Sequence, residues 1–265
     1  MNLRTYIHRC KFPVLTAIIL LLGVYSWSQD PGTTASTAPD ATQIVRAIAH
    51  HDQTQSVALE RYRALRHYEV EYHGFFKNIT AKMDVELDYD SASGKNFRVI
   101  SESGSHTLCD KVIKRALDSE KDAAHDHGAH ALTPANYQFQ LLGSEMLDGR
   151  LSYVLKVDPL SGSPYLYRGK IWVDASDGAV SKMEVQPAKN PSFWISQTLV
   201  HQTNSRIDGF WLPQLNQSET KVRIGGKAVM TINYGNYQIL QAQSPQSHGE
   251  TGPQPASETL QASAR

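Results

Sequence analysis

Residues 167–184 read YRGKIWVDASDGAVSKME, which is two strand-like runs on either side of the dipeptide Asp177-Gly178. Asp-Gly and Gly-Gly pairs accept the positive φ angles that two-residue hairpin turns need. The same kind of turn recurs between strand-like runs at Asp148-Gly149, Asp208-Gly209 and Gly225-Gly226. Four such turns at similar spacing predict a meander of neighbouring antiparallel strands.

The turns also define the strands beside them. The predicted pairs are 137–147 with 151–157, 167–175 with 180–186, and 195–207 with 210–224, followed by a return strand over 228–240. Upstream, apolar and mainly acidic residues alternate over 68–73 and 83–90, and a third strand follows the Ser93-Gly94 turn. A period of two with one acidic face is typical of half-buried strands.

Two helical regions precede or interrupt these strands. Asp40 with Gln43 three residues later is a capping-box pattern at the start of an apolar, helix-like spacing. The 3.6-residue spacing resumes after Asp52 and predicts a second helical piece up to His67. A further apolar stripe predicts a helix over 105–121.

Together these patterns predict an α+β fold. Its main element is a large curved antiparallel sheet, an incomplete β-barrel, with helices covering the concave face. A sheet with one apolar face must bury that face against another layer. Any space left between the helices and the sheet would form an apolar pocket.

The N-terminus has the pattern of an export signal. Three basic residues and no acidic ones precede an apolar run over 14–24, and Ser28 is a small residue where a signal peptidase would cut. We therefore expect a signal peptide at 1–28. The bulky Tyr25 and Trp27 leave an uncleaved membrane anchor as the alternative.

Composition divides the rest of the chain. A Thr/Ser/Ala/Pro linker at 29–39 and a polar tail at 241–265 flank one domain at 40–240, and we expect the tail to be disordered because such segments cannot repay the entropy of ordering. After cleavage the chain would carry 23 basic and 26 acidic residues, a net charge of −3 that does not favour nucleic acid as a partner. Only Cys109 would remain, so no internal disulfide is expected.

Three stretches carry a family resemblance. The 167–184 run, NPSFWI at 190–195 and GFWLP at 209–213 resemble the LolA/LolB/RseB-like superfamily of periplasmic lipoprotein carriers and sensors, in particular its outer-membrane lipoprotein-sorting-like branch. The resemblance covers most of 40–240 and implies a LolA-like half-barrel domain, in which an apolar cavity between sheet and helical lid receives acyl chains. In the carrier branch an arginine on an early strand holds the lid closed, and Arg98 is the candidate here.

The resemblance and the export signal together imply a function. We expect a non-enzymatic periplasmic binding protein that holds a lipid or lipoprotein acyl group in an apolar cavity; the alternative is a protein-interaction or sensor module of the RseB type. The expected partners are lipid or lipoprotein acyl chains and a membrane protein or acceptor lipoprotein, with no nucleic acid and no cofactor, and we expect a monomer. The candidate cavity-lining residues are Tyr72, Met83, Val85, Phe97, Trp172, Met183, Trp194 and Trp211.

Two clusters could carry other chemistry. His125, His127 and His130, with Asp126 between the first two, could converge on zinc if they were held in place. Because the segment contains Ala and Gly, a mobile loop is the favoured interpretation and no metal is predicted. Cys109 begins a predicted helix and has His106 nearby as a possible base, but its apolar neighbours favour a buried, unreactive thiol.

The acidic residues of the early strands could also be interpreted as paired carboxylates for glycoside chemistry. Their strict alternation with apolar residues favours a solvated sheet face instead. The sequence contains no G-x-S-x-G elbow, P-loop, dinucleotide glycine motif or H-E-x-x-H. We therefore predict no enzymatic activity. The residues in question are Glu69, Glu71, Asp84, Glu86 and Asp88.

Overall fold

The computed structural model describes residues 39–123, 131–163, 165–190, 195–223 and 225–242. Three α-helices, one π-helical turn and ten strands lie within these ranges. They are α1 (Ala41–Ala58), β1 (Leu59–His73), β2 (Asn78–Asp90), β3 (Gly94–Gly104), α2 (His106–Leu108), the π-helical turn (Cys109–Ile113), α3 (Lys114–Ala123), β4 (Tyr137–Leu147), β5 (Arg150–Pro159), β6 (Tyr167–Asp174), β7 (Val180–Pro187), β8 (Ile195–Ile207), β9 (Phe210–Val222) and β10 (Gly226–Ala242).

The ten strands form one antiparallel sheet in the order β3-β2-β1-β10-β9-β8-β7-β6-β5-β4. Strands β4 to β10 are an uninterrupted meander, as the four turns predict, and β1 to β3 are a second one. The two meanders join where β1 pairs with β10, from Leu59 opposite Ala242 to His73 opposite Lys227. The sheet is not closed, with β3 and β4 at its edges, and this open half-barrel confirms the predicted incomplete barrel.

Tight turns fix the register of the long meander. Asp148 and Asp208 have φ angles of +48° and +49°, and the glycines that follow them have +78° and +90°. Positive φ at both central residues gives a turn whose twist matches the twist of the flanking strands. The strands accordingly pair up to the turn, with Leu147 opposite Arg150.

Helix α1 begins where the capping box predicts. The Asp40 side chain accepts a hydrogen bond from the Gln43 backbone N–H at 2.7 Å, and the Gln43 side chain accepts one from the Asp40 backbone N–H at 2.9 Å. The helix ends at Ala58, and the predicted second helical piece up to His67 is wrong because 59–73 form β1. Alternate side chains of β1 are buried on one face of the sheet, and this packing overrides the local helix-like spacing.

The helix predicted over 105–121 is observed as one continuous helical segment at 106–123, made of α2, the π-helical turn and α3. Its first turn is capped by the Ser105 side chain. Strands β3 and β4 are the two opposite edges of the sheet. The chain between them must therefore pass from one edge to the other, and segment 106–123 packs on the sheet along this path.

Both helical elements pack on one face of the sheet, here termed the inner face. Directly paired residues point to the same face, and pairing links one row across nine strands: Met83, Tyr68, Ile232, Asn216, Gln202, Met183, Ile171, Leu155 and Leu141. Segment 106–123 covers the Met83 end of this row and α1 covers the Leu155 end. The helices thus cover the two ends of the inner face, and the polar Asn216 and Gln202 lie between them.

The predicted ends of the chain fall largely outside the described residues. These include the signal peptide at 1–28, most of the linker and residues 243–265. Strand β10 extends to Ala242, two residues into the segment assigned to the tail. Within the described ranges, no helix combines the length and apolar character needed to cross a membrane.

Helix α1 also contacts the turn that follows β6, and two glycines test this contact. A Cβ at Gly178 (φ +71°) would lie 2.7 Å from the Ala47 carbonyl oxygen, whereas one at Gly149 (φ +78°) would meet no described atom within 4 Å. Both alanine substitutions carry a similar left-handed strain of about 1–2 kcal/mol. We expect Gly178→Ala to lower the free energy of unfolding by at least about 1 kcal/mol more than Gly149→Ala, measured by urea denaturation. Equal losses would contradict the packing of α1 on this turn.

Candidate functional site

A cleft of about 740 Å³ lies on the inner face. Its walls are the C-terminal half of α1, the helix α3 and the central strands. Six tyrosines line it, together with apolar, amide and charged side chains. The cleft is therefore amphipathic, in contrast to the purely apolar pocket that we expected. The tyrosines are Tyr62, Tyr68, Tyr89, Tyr165, Tyr167 and Tyr234.

A buried ion pair joins the sheet to α3 at one wall of the cleft. Arg66 on β1 is 3% exposed, and its Nη1 and Nη2 donate to the two Glu120 carboxylate oxygens at 2.7 and 3.1 Å. Lys95 on β3 reaches the same carboxylate, with its Nζ 2.6 Å from Oε1. Bidentate pairing of this kind is strong and directional. It fixes α3 against β1 and β3.

Aromatic rings and a phenol complete the surroundings of Arg66. Its guanidinium carbon lies 5.0 Å from the centre of the Phe97 ring and 4.9 Å from that of Tyr234. Its Nη1 also donates to the Tyr68 hydroxyl at 3.2 Å. A guanidinium stacks well on aromatic faces because it is planar and weakly hydrated. These contacts therefore help to stabilise the buried positive charge of Arg66 beside apolar side chains.

Burial and charge set the protonation of this wall. Burial alone would raise the pKa of Glu120, but hydrogen bonds and charge from Arg66 and Lys95 outweigh it and lower the pKa to about 2. For Arg66, burial favours the neutral form, yet the Glu120 carboxylate prevails and its pKa is raised. Burial raises the pKa of Tyr62 to about 12 and also raises that of Tyr234. The pair is therefore ionised and these phenols are neutral hydrogen-bonding groups near pH 7.

An amide chain lies at the centre of the inner face. Asn216 Nδ2 donates to Gln202 Oε1 at 3.1 Å, Gln202 Nε2 donates to Asn204 Oδ1 at 3.0 Å, and Asn204 Nδ2 donates to the Val180 carbonyl at 2.7 Å. Each side-chain amide thus donates a hydrogen bond to the next acceptor in the chain. Gln202 and Asn216 also line the cleft, so its floor offers polar groups between the two apolar ends.

The predicted lining residues lie in several different parts of the structure. Four of them, Tyr72, Met83, Val85 and Phe97, belong to the apolar cluster beneath segment 106–123. Met183 packs at the edge of the cluster beneath α1, and Trp194 lies outside the described residues.

The remaining two predicted residues are tryptophans in different surroundings. Trp172 is on the opposite, outer face, where its Nε1 donates to Glu145 and Lys182 lies 4.4 Å from its ring. Trp211 lines the cleft. Its backbone N–H and carbonyl bond the Gln55 side chain of α1, and its Nε1 donates to Asp177 at 2.8 Å.

Arg66 was missed by the sequence reasoning, which proposed Arg98 for the lid contact. Arg98 is 66% exposed in its side chain and pairs with Glu86 on the neighbouring strand at 2.6 Å. The arginine that contacts the helical segment is Arg66. The sequence pattern that could have identified Arg66 is the two-residue alternation of β1, which places it on the same face as Ala64 and Tyr68. The prediction of a helix up to His67 hid this alternation.

Cys109 and the early acidic residues lie in the surroundings that their non-catalytic interpretations predict. Cys109 is 1% exposed, and burial raises the pKa of its thiol. The early acidic strand residues meet basic partners at the protein surface, for example Glu69 with Lys82 at 2.8 Å and Asp88 with Arg63 at 2.7 Å. The predicted cluster of His125, His127 and His130 lies outside the described residues. Elsewhere in the described chain, no three His, Cys, Asp or Glu side chains come together to hold a metal.

No family model and no curated protein matches this chain. Solved structures are similar to it at low identity. A DUF1329 family protein from Desulfovibrio piger is 13% identical with a TM-score of 0.39, over 78% of this chain and 96% of the other. A LolA superfamily protein from Nitrosomonas europaea is 14% identical with a TM-score of 0.35, over 78% and 96%.

A third similar structure is a domain from Vibrio parahaemolyticus that is named for outer-membrane lipoprotein sorting. It is 11% identical to this chain with a TM-score of 0.38, over 80% of this chain and 96% of the other.

The Arg66–Glu120 pair predicts a specific pH dependence of stability. Since the pKa of Glu120 falls from 4.5 to about 2 on folding, its contribution is complete above pH 4.5 and is lost as the pH falls towards 2. We expect the stability advantage of the wild type over Glu120→Gln to shrink by about 2 kcal/mol between pH 7 and pH 2.5, measured by urea denaturation.

The matched control for this prediction is on the same helical segment. Asp110 meets Lys114 in solvent, at 2.7 Å with a 60% exposed side chain, where such pairs contribute little. Asp110→Asn should therefore unfold at nearly the same urea concentration as the wild type at either pH. If Glu120→Gln behaved in the same way, the pair would not fix α3.

Proposed function

We propose that this chain is an exported, non-enzymatic binding protein that holds a lipid, or the acyl group of a lipoprotein, between its inner face and segment 106–123. The observation that carries the proposal is the cleft of about 740 Å³ whose α3 wall is fastened to the sheet by the Arg66–Glu120 pair. In this proposal the pair opens when the ligand enters, and segment 106–123 moves aside while the hydrogen-bonded sheet beneath it stays folded.

The apolar surface beneath the helical segment supplies the acyl site in this proposal. Val70, Met83 and Val85 are at most 1% exposed, and they are covered by side chains of segment 106–123 such as Ile113 and Leu117. These helix side chains occupy the place that an acyl chain would take when the segment moves aside. Each buried CH₂ contributes about 0.8 kcal/mol, so a long acyl chain can compensate for the displaced contacts. The predicted lining residues Tyr72 and Phe97 border this same surface.

The polar part of the cleft suits the other end of such a ligand. Neutral phenols, the Gln202–Asn216 amides and the Arg66–Glu120–Lys95 cluster can bond ester, hydroxyl or charged headgroup atoms. An amphipathic ligand would thus place its chain under the helical segment and its head in the cleft. Pockets that bind small molecules commonly combine apolar walls with a few polar groups that fix orientation.

The site of action and the partners follow from two further features. The export pattern at 1–28 supports a periplasmic location. Phe75 and Phe76, at the β1–β2 turn, are 81% and 101% exposed, and the basic residue Lys77 follows them directly. Exposed aromatic side chains beside basic ones favour contact with an anionic membrane, from which a lipid carrier could load.

A protein-interaction module of the RseB type is the second candidate. The open edges of the sheet favour it, because edge strands present unpaired backbone groups to another chain. Val99 and Ile100 on β3 are 42% and 48% exposed, and Met146 on β4 is 61% exposed. A chain that pulls down a defined protein but retains no lipid would support this candidate instead.

A cleft-filling substitution tests the carrier proposal. Ala116 on α3 lines the cleft, so Ala116→Trp should weaken the binding of a fluorescent long-chain fatty acid by at least tenfold, about 1.4 kcal/mol, in a fluorescence titration. The matched control is Ala92→Trp at the exposed β2–β3 turn, which should bind as the wild type does. Circular dichroism would verify that both variants fold.

Native ligand provides a second readout of the same proposal. Organic extraction of the purified chain followed by mass spectrometry should recover lipid from the wild type and less from Ala116→Trp. If no lipid were recovered and the fluorescent fatty acid failed to bind the wild type, the carrier proposal would be wrong.

The exposed aromatic pair gives a separate prediction. The double substitution Phe75→Ser with Phe76→Ser should abolish sedimentation of the chain with phosphatidylglycerol vesicles and leave fatty-acid affinity unchanged. Met146→Ser, at an exposed apolar position on the opposite edge strand, is the matched control and should sediment as the wild type does. Equal sedimentation of all three proteins would show that the β1–β2 turn does not dock on membranes.

A further inference from the structure

A second, smaller pocket of about 230 Å³ lies at the end of strands β5 to β9. Its wall includes Ser152 and Lys182, which neighbour inner-face residues along their strands and therefore point to the outer face. This cavity, here termed the outer pocket, is thus largely on the opposite side of the sheet from the helices. At about 30 Å³ for each water, it has room for an oxyanion with some of its hydration.

A rigid polar network builds one wall of the outer pocket. Asp174 is 1% exposed and accepts hydrogen bonds from Arg150 Nε at 2.6 Å and Nη2 at 2.7 Å. The backbone N–H groups of Ser176 and Asp177 donate to the same carboxylate at 3.0 and 2.8 Å. The negative charge of Asp174 is therefore fully engaged, and Arg150 is held in a fixed orientation.

The three basic side chains of the wall each have a carboxylate partner, and Arg150 meets a second one, since its Nη2 lies 3.0 Å from Asp177. Arg150, Lys182 and Arg206 line the pocket with two acidic residues, Asp148 and Asp174. Arg206 makes only a loose ion pair, 3.8 Å from Asp177, and among the described hydrogen bonds none uses Arg206 or the Nη1 of Arg150. Lys182 pairs at 2.7 Å with Glu184, which is not in the wall. Guanidinium donors remain available to an anion in the pocket.

One buried hydroxyl points to a missing partner. Ser152 is 1% exposed, and its Oγ makes no hydrogen bond to any described residue. A buried polar atom without a partner is unfavourable, and native proteins usually supply one from the protein, from water or from a ligand. Ser152 lines the outer pocket, so a molecule bound there could supply the partner.

We propose that the outer pocket binds a phosphate group whose oxygens accept hydrogen bonds from the unused donors of Arg206 and Arg150 and from the Ser152 hydroxyl. Arginine forks match the geometry of tetrahedral oxyanions, and Thr203 and Ser205 add hydroxyls to the same wall. The group could be free phosphate or the headgroup of a phospholipid. The outer pocket shares Trp211 with the cleft, but none of the residues proposed to hold the phosphate lines the cleft, so either proposal can fail without the other.

Calorimetric titration of the purified chain with inorganic phosphate tests the site. We expect Arg206→Gln to weaken phosphate binding by about tenfold or more and Ser152→Ala by about fivefold. The matched control is Arg168→Gln, an exposed arginine on β6 that bonds the Ala188 carbonyl at 3.5 Å and should leave affinity unchanged. Sodium chloride at the same ionic strength should give no binding signal.

Thermal unfolding distinguishes a binding role of Ser152 from a structural one. Without phosphate, Ser152→Ala should melt at the same temperature as the wild type or higher, because an unsatisfied buried hydroxyl is removed. The rise in melting temperature on adding phosphate should be smaller in this variant. A lower melting temperature with unchanged phosphate affinity would overturn the assignment of Ser152.

A soluble short-chain phosphatidylglycerol distinguishes the two sources of the group. Tighter binding of this lipid than of inorganic phosphate, lost in Arg206→Gln but not in the cleft-filling Ala116→Trp, would support a headgroup site. Comparable binding of both would support a site for free phosphate. If neither bound, or if Arg206→Gln bound both as the wild type does, the proposal would be overturned.

Discussion

The buried guanidinium of Arg66 is the constraint on which the inner face depends. A charge that is 3% exposed must keep its partner, because removing one member of a buried pair costs about 3–5 kcal/mol. Glu120 on α3 is that partner, so the Arg66 guanidinium of β1 fixes the position of the helix. The apolar cluster beneath segment 106–123 stays covered, and the cleft keeps its second wall, as long as this pair is intact.

The sheet distributes apolar and polar character so that such a contact can matter. Two apolar clusters at opposite ends of the inner face carry the two helical elements, and these clusters stabilise the fold. The middle of the face is left to amides and phenols. The two helical elements therefore do not fill the centre of the inner face, and this space is available for a ligand. The edges of the sheet are open as well, because β3 and β4 do not pair with each other.

The sequence predicted the sheet better than it predicted the site. Turn chemistry is local, so Asp148-Gly149 and its counterparts were sufficient to place seven strands of the meander. The cleft, in contrast, brings together Asp52, Glu120 and Tyr234 from distant parts of the chain, and no local pattern encodes that meeting. Arg66 was hidden because helix-like spacing masked the first half of β1. Alternation also could not decide on which face of the sheet Trp172 lies, because its neighbours Ile171 and Val173 are apolar too.

The pairing of β1 with β10 has a consequence for how the protein acquires its structure. Strand β1 finds one of its two neighbours only in β10, and the other eight described strands lie between these two in the sequence. Closing so long a loop is entropically expensive and makes folding slow relative to proteins with local contacts. A nascent chain emerging from the ribosome cannot complete this sheet, since one side of β1 stays without its hydrogen-bonding neighbour until β10 has been synthesised. The complete sheet is therefore accessible only once all of residues 59–242 are available to fold.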